Sequence, residues 1–195
     1  IAGGTSTGKT TLANALLAEI AATGDRVLVL EDTIELQCAA RDHVPLRTRA
    51  GVVSMQELVR ATMRLRPDRV VVGEVRGGEA LDLIKVWGTG HPGGIATIHA
   101  GSALGALLRL EQLILEVAVN PPRALIAEAV NVVIHIAGRG RKRRVESIAR
   151  VVGFDGTGYR LADALETPFP ELIPLPLAAD AAALPPSPDQ PGELP

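Results

Sequence analysis

Sulfur and aromatic rings are both scarce in this chain of 195 residues. Its single cysteine, Cys38, cannot close an internal disulfide, which fits a reducing compartment, and it reads as a small filler rather than a nucleophile. Trp87, Phe154, Tyr159 and Phe169 are the only aromatic residues, too few for a platform on which single-stranded nucleic acid could stack. With a net charge of −2, no specific nucleic-acid binding is expected. No apolar run reaches the roughly 18 residues of a membrane-spanning helix. Basic residues are missing from 163–195, which holds six acidic residues and nine of the fourteen prolines. This Pro/Ala-rich stretch cannot build a packed core and is expected to be a disordered tail. Residues 1–162 carry all twenty basic residues against sixteen acidic ones, a mildly basic body long enough for one domain.

What is present starts at once. Residues 1–11 read Ile-Ala-Gly-Gly-Thr-Ser-Thr-Gly-Lys-Thr-Thr and contain the phosphate-binding pattern Gly3-x-x-x-x-Gly8-Lys9-Thr10. Such a loop turns the backbone N–H groups of Gly3, Gly4, Thr5, Ser6, Thr7 and Gly8 toward one concavity, and the following helix aims its positive end there. Gly3 and Gly8 leave room for phosphate, Lys9 is expected to reach the β and γ phosphates, and Thr10 to ligate Mg2+, with Thr11 beside it. Leu12, Ala15, Leu16 and Ile20 are spaced to form the buried stripe of that helix. A glycine-rich loop with an incidental lysine is the plainer alternative. Only Ile1 and Ala2 precede Gly3, too little for the strand such a loop follows. The chain is therefore expected to be an N-terminally truncated piece of a longer protein.

The rest alternates strand and helix signals. Strands are expected at 26–30, 69–72, 95–99, 131–136 and 145–152, and helices at 55–66, 79–87, 103–117 and 121–129. Ser54 and Glu57 form a capping box for the first of these helices, and Pro67 marks its end. Leu104, Leu107, Leu108, Leu113 and Ile114 supply the apolar side of 103–117. Segment 36–53 has no clear period. Alternation of this kind predicts an α/β fold with a mostly parallel sheet and helices on both faces. Gly138 to Arg144 reads as a basic hairpin tip, either simply solvated or touching a partner or membrane surface.

Acidic residues and a histidine fall at the carboxyl ends of successive strands, where open α/β sheets bind ligands. Glu74, one residue beyond Val70-Val71-Val72, is the candidate for polarising an attacking water; capping the next helix is its alternative role. An ordinary Walker B pattern ends in Asp-Glu, but Gly73 stands where the aspartate would be. Glu31 and Asp32, on the neighbouring strand, are then the available oxygen ligands for a metal, directly or through water. His99 could donate to a γ-phosphate oxygen or sense its loss, although a lone histidine is more often structural.

Four stretches together resemble a family: residues 3–11, 30–35, 64–77 and 88–100 are similar to the Walker A, Asp box, Walker B and His box of the bacterial type II/IV secretion traffic ATPases. The conjugal-transfer branch of type IV secretion is the nearest likeness, over residues 1–155. The resemblance implies a RecA-like P-loop domain that binds ATP and Mg2+, with Glu74, Lys9, His99 and Glu31 as the reactive set. Glycine in place of the Walker B aspartate is usual there. It further implies homohexameric rings at the cytoplasmic face of the inner membrane, partnered by inner-membrane secretion or conjugation components, and an N-terminal domain lending residues to the site. Arg76 is expected to contact nucleotide, and either Arg76 or Arg109 could face a neighbouring subunit. Ser6 departs from the family, standing where glycine is common, which predicts some strain in the loop. A catalytically weak, nucleotide-dependent assembly module is the alternative function.

Overall fold

The structure, a computed structural model, describes residues 1–91 and 93–166. Its elements run β1 (Ala2–Gly3), α1 (Lys9–Ile20), β2 (Val27–Glu31), β3 (His43–Arg47), α2 (Met55–Thr62), β4 (Arg69–Val72), α3 (Glu79–Gly88) and β5 (Ile95–Ala96). They continue with α4 (Ala103–Ile114), α5 (Arg123–Ala129), β6 (Val132–Ala137), a 3-10 turn (Gly140–Lys142), β7 (Arg144–Phe154) and β8 (Tyr159–Asp163).

One ladder runs β3-β2-β4-β5 and a second β1-β6-β7-β8. All pairs in the first and the β1–β6 pair are parallel, while β6, β7 and β8 run antiparallel. The ladders meet at the start of the chain. Ala2 bridges in parallel to Ile98, with Ile98 N donating to Ile1 O at 2.9 Å and Gly3 N to Ile98 O at 3.3 Å. Short as it is, the start of the chain is a strand here: Ala2 and Gly3 pair with His135 and Ile136 of β6, and Ala2 also bridges Ile98 just beyond β5. The expected strand 95–99 is split for the same reason, since Ile95–Ala96 pair with β4 and Ile98 with Ala2.

Continuous valine and leucine runs make β2 and β4 buried on both faces, as a covered parallel sheet requires. Leu28, Leu30, Val70 and Val72 join the core beneath α2 to α5, whereas Val27, Val29 and Val71 pack with Ala13 and Leu17 of α1 on the opposite face. Pro45 is tolerated because β3 is an edge strand. No helix among the described residues is long and apolar enough to cross a membrane.

Helix faces differ from the periodicity reading in two places. On α1 the buried side is Lys9, Ala13, Leu17 and Ile20, not Leu12, Ala15, Leu16 and Ile20. The phosphate loop fixes the rotation of the helix by directing Lys9 inward, and the apolar pattern follows from that. On α4, Ala103, Ala106, Leu107, Leu110, Leu113 and Ile114 are buried, while Leu104 and Leu108 are exposed. Helix α2 has the expected capping box between Ser54 and Glu57 but ends at Thr62. Its hydroxyl donates to Val59 O, and tighter i to i−3 bonds from Arg64 and Leu65 unwind the chain toward Arg66, at φ +51°. Strand β8, not assigned from sequence, runs one residue into the stretch expected as tail. Asp155 builds its turn by accepting from Thr157 N and Gly158 N at 3.0 Å each. Residues 167–195 of the expected tail lie outside the described residues.

A polar cluster around the buried Glu111 fastens β7 and β8 to the helices. Arg123 Nε donates to Glu111 Oε2 at 3.0 Å and its guanidinium sits 5.9 Å from the centre of the Phe154 ring, which meets Tyr159 edge-on at 5.4 Å. Burial, with the Glu111 carboxylate nearby, raises the Tyr159 pKa, and its hydroxyl makes no well-formed hydrogen bond. Removing Arg123 leaves a carboxylate buried without its cation, whereas removing the phenol oxygen removes an unsatisfied group. Arg123→Ala is expected to lower stability by about 2 kcal/mol, less than for a fully buried pair because the arginine is half exposed. Tyr159→Phe should be neutral or stabilising; urea unfolding of both variants checks this.

Candidate active site

The carboxyl ends of β1, β2 and β4 and the turn after β5 open on one side of the sheet. A side chain on Gly3 would put its Cβ 2.5 Å from Thr7 Oγ1 and 2.7 Å from Ile136 O, so only glycine lets the strand turn there. Thr7, buried, donates to Gly4 O at 2.9 Å and closes the loop from inside. Ser6 adopts φ +62°, the left-handed conformation for which glycine is usual, so the strain expected at this position is present. Gly8, at φ +97°, is the N-cap of α1 and brings no side chain to the free N–H groups of the first turn. Those donors, unpaired by any cap, point into the cradle with the positive end of the helix dipole.

Lys9 is buried. Its ammonium donates to Gly3 O and Gly4 O at 3.1 Å each and stands 3.5 Å from His99 Nδ1. Burial lowers its pKa, opposed in part by the Glu74 carboxylate and reinforced by Arg76. Thr10 Oγ1 donates to Glu35 Oε2 at 3.0 Å, while Thr11, one residue on, is exposed. Asn14 ties α1 to the acidic stretch by donating to Glu35 O and accepting from Gln37 N.

Glu31, also buried, accepts through Oε1 from Glu35 N at 2.9 Å and Leu36 N at 2.8 Å, and so shapes the turn that delivers Glu35 to Thr10. It also explains the glycine at 73, where a Cβ would lie 3.2 Å from Glu31 Cγ and 3.6 Å from Glu31 Oε1. An aspartate there would press its charge against a buried carboxylate. Asp32 is more exposed and accepts from the Thr48 hydroxyl at 2.6 Å.

Glu74 is held from two sides. His99 Nε2 lies 2.5 Å from Oε1, and Arg76 donates through Nε at 2.5 Å, and also through Nη2, to Oε2. Arg76 Nη1 also stands 3.8 Å from Asp32 Oδ2, and the Glu74 contact holds the guanidinium protonated more firmly still. Glu79 accepts from Arg76 N and Gly77 N, so it, and not Glu74, caps the start of α3. A neutral His99 donating Nε2–H to Glu74 turns the Nδ1 lone pair toward Lys9, making one polar chain from Lys9 through His99, Glu74 and Arg76 to Asp32.

Lys9, Thr10, Glu31, Asp32, Glu74, Arg76 and His99, all selected from sequence, thus line one polar cavity of about 360 Å³. Glu35 lines it too and was not selected, although it stands in the same acidic stretch; nothing in the spacing says that the turn at Thr33 brings it back to Thr10. Arg109 is elsewhere, exposed on α4 and bonded to Gln112. Among the described residues no three His, Cys, Asp or Glu side chains cluster to hold a metal by themselves. Mg2+ ordinarily takes one or two carboxylates beside substrate phosphates, and Thr10 with Glu35 and Glu31 fits that smaller demand. The arrangement brings together free N–H groups at a helix N-terminus, a lysine, hydroxyl and carboxylate oxygens, and a carboxylate at the end of the neighbouring strand, the kinds of group that phosphoryl transfer uses.

Comparison with known proteins points to one family. The sequence pattern of the family described as Type II/IV secretion system protein matches residues 1–148. The conjugal transfer protein TrbB of Rhizobium radiobacter is 51% identical over 162 residues, covering 82% of this chain and 50% of that protein. The type IV secretion system protein PtlH of Bordetella pertussis is 39% identical, covering 76% and 48%. The chain spans about half the length of the curated relatives it matches. Among solved structures, the VirB11 ATPase of the Brucella suis type IV secretion system superposes with a TM-score of 0.68 at 33% identity, over 76% of this chain and 48% of that one. The pilus retraction motor PilT, at 20% identity and a TM-score of 0.54, shares the RecA-like fold. On its motifs, its fold and these relatives, the chain belongs to the type II/IV secretion system ATPase family.

Proposed function

We propose that this chain is the catalytic part of a motor subunit that hydrolyses ATP to power type IV secretion or conjugative transfer. The observation that carries the reading is the convergence of Glu74, His99 and Arg76 on the phosphate loop beside Lys9. Water attacks the γ-phosphorus in line, ADP leaves, and inorganic phosphate is formed. Lys9 neutralises charge on the β and γ phosphates. Glu74 orients and deprotonates the water, with His99 steering the carboxylate and reporting on the γ-phosphate. Mg2+, held by Thr10 with Glu35, Glu31 or Asp32, would neutralise the β and γ oxygens. Arg76 sits beside Glu74 of its own subunit, which favours a role in cis and leaves Arg109, exposed on α4, as the candidate to face a neighbour. By likeness to the family, the working form is a homohexamer in the cytoplasm, docked on inner-membrane conjugation components.

One observation favours a second reading, the catalytically weak assembly module: both Glu74 oxygens are already engaged, by His99 and by Arg76. Turnover separates the two. Lys9→Ala is expected to abolish ATP binding and hydrolysis, and Glu74→Gln to lower kcat by about a hundredfold or more while leaving ATP affinity intact. Hydrolysis in Glu74→Gln at the wild-type rate would overturn the assignment, and a wild type that binds ATP without turnover would favour the module.

The pH dependence has a definite sign. Burial lowers the Lys9 pKa in the free protein, and a bound polyphosphate raises it, so binding takes up a proton where the free lysine is neutral. ATP affinity should be constant below that range and fall as pH rises through it. Calorimetry in buffers of different ionisation enthalpy reads the proton uptake directly; affinity independent of alkaline pH would count against a Lys9–phosphate contact.

A further inference from the structure

We infer that Arg143, at the base of the β6–β7 hairpin, is a nucleotide-binding residue that grips the α-phosphate side of the site. The inference rests on the ATP-binding reading above and extends it to a residue outside the four motifs. Strand β6 pairs directly with β1, Gly3 opposite Ile136, so the hairpin leaves the sheet at the same end as the phosphate loop. Gly138 turns at φ +81°, and a Cβ there would meet Lys142 O at 2.0 Å, so only glycine lets the hairpin close this tightly. Closure brings Arg143 onto the loop. A Cβ at Gly8 would lie 3.6 Å from Arg143 Cδ, 3.7 Å from Arg143 Nη1 and 4.0 Å from Thr11 Oγ1.

The charge pattern at this contact is unfavourable unless an anion joins it. Arg143 is exposed but lies against the positive N-terminus of α1, one residue from Lys9, and no acidic side chain among the described residues pairs with it. Its neighbour Arg144 is paired, with Glu146 at 2.7 Å. A guanidinium held against a helix N-terminus is repelled by the dipole, and a phosphate between the two turns both interactions attractive. Sheet order sets which phosphate. β4 and β5 bring Glu74 and His99 to one side of β1, and β6 brings Arg143 to the other. The γ-phosphate belongs with Glu74 and His99, so Arg143 flanks the opposite end of the chain of phosphates, at Gly8 and Thr11, where the loop and its helix hold the α-phosphate.

The test is the affinity of the 195-residue chain for Mg2+-ATP and Mg2+-ADP, measured by displacement of a fluorescent nucleotide. Arg143→Ala should weaken both by the same factor, about tenfold for the loss of one charge-assisted contact, and leave the ATP to ADP affinity ratio unchanged. Arg143→Lys should recover part of the loss, and Arg141→Ala should have no effect. Gly138→Ala, which keeps the arginine but opens the hairpin, should reproduce Arg143→Ala. Unchanged affinity, or weakening of ATP alone, overturns the assignment while leaving the ATPase reading intact. A wild type with no affinity for either nucleotide, indistinguishable from Lys9→Ala, overturns the reading beneath it and the assignment with it.

Discussion

A Cβ on residue 3 has nowhere to go, with the Thr7 hydroxyl on one side and the Ile136 carbonyl on the other. That exclusion is what the rest of the site is arranged around. It forces the chain to leave β1 through a glycine, sets the loop that follows, and fixes the rotation of α1 so that Lys9 points inward. The same three residues, Ile1 to Gly3, join the two ladders of the sheet, so the centre of the fold and the bottom of the phosphate cradle are one piece of backbone. Precision there is steric, and the polar contacts are laid over it.

Much of this was legible in the sequence because strand-end chemistry leaves local marks. Valine runs followed at once by Glu31-Asp32, by Gly73-Glu74 and, from 95 on, by His99 announce both a covered parallel sheet and the edge where its ligand lies. The phosphate loop carries its own pattern. What escaped was set by partners distant in sequence. The buried side of α1 follows from where Lys9 must point, which overrides the leucine period. Glu35 gained its contact with Thr10 through the turn that Glu31 pins, and Arg143 reached Gly8 through a hairpin whose composition looked like ordinary solvated charge. Strand β8 did announce itself, in the Asp155-Gly156 turn, but its short and mixed sequence gave little period to read.

The two ends of the phosphate cradle differ in character. On the β4 and β5 side Glu74 already has partners in Arg76 and His99, so an incoming phosphate must compete for groups that are engaged with others. On the β6 side the cations outnumber the anions. A ligand that is long and negative at every phosphate satisfies both ends, while a single phosphate meets either competition or an incomplete grip.

The close approach of Glu31 to Gly73 ties two strands into one unit of variation. An acid at 73 and an acid at 31 compete for the same few cubic ångströms, so a change at either position alone leaves a clash or a gap, and only a paired change moves the carboxylate from one strand to the other. Glycine at 73 is thus held in place by its neighbour's side chain as much as by the chemistry of the strand end.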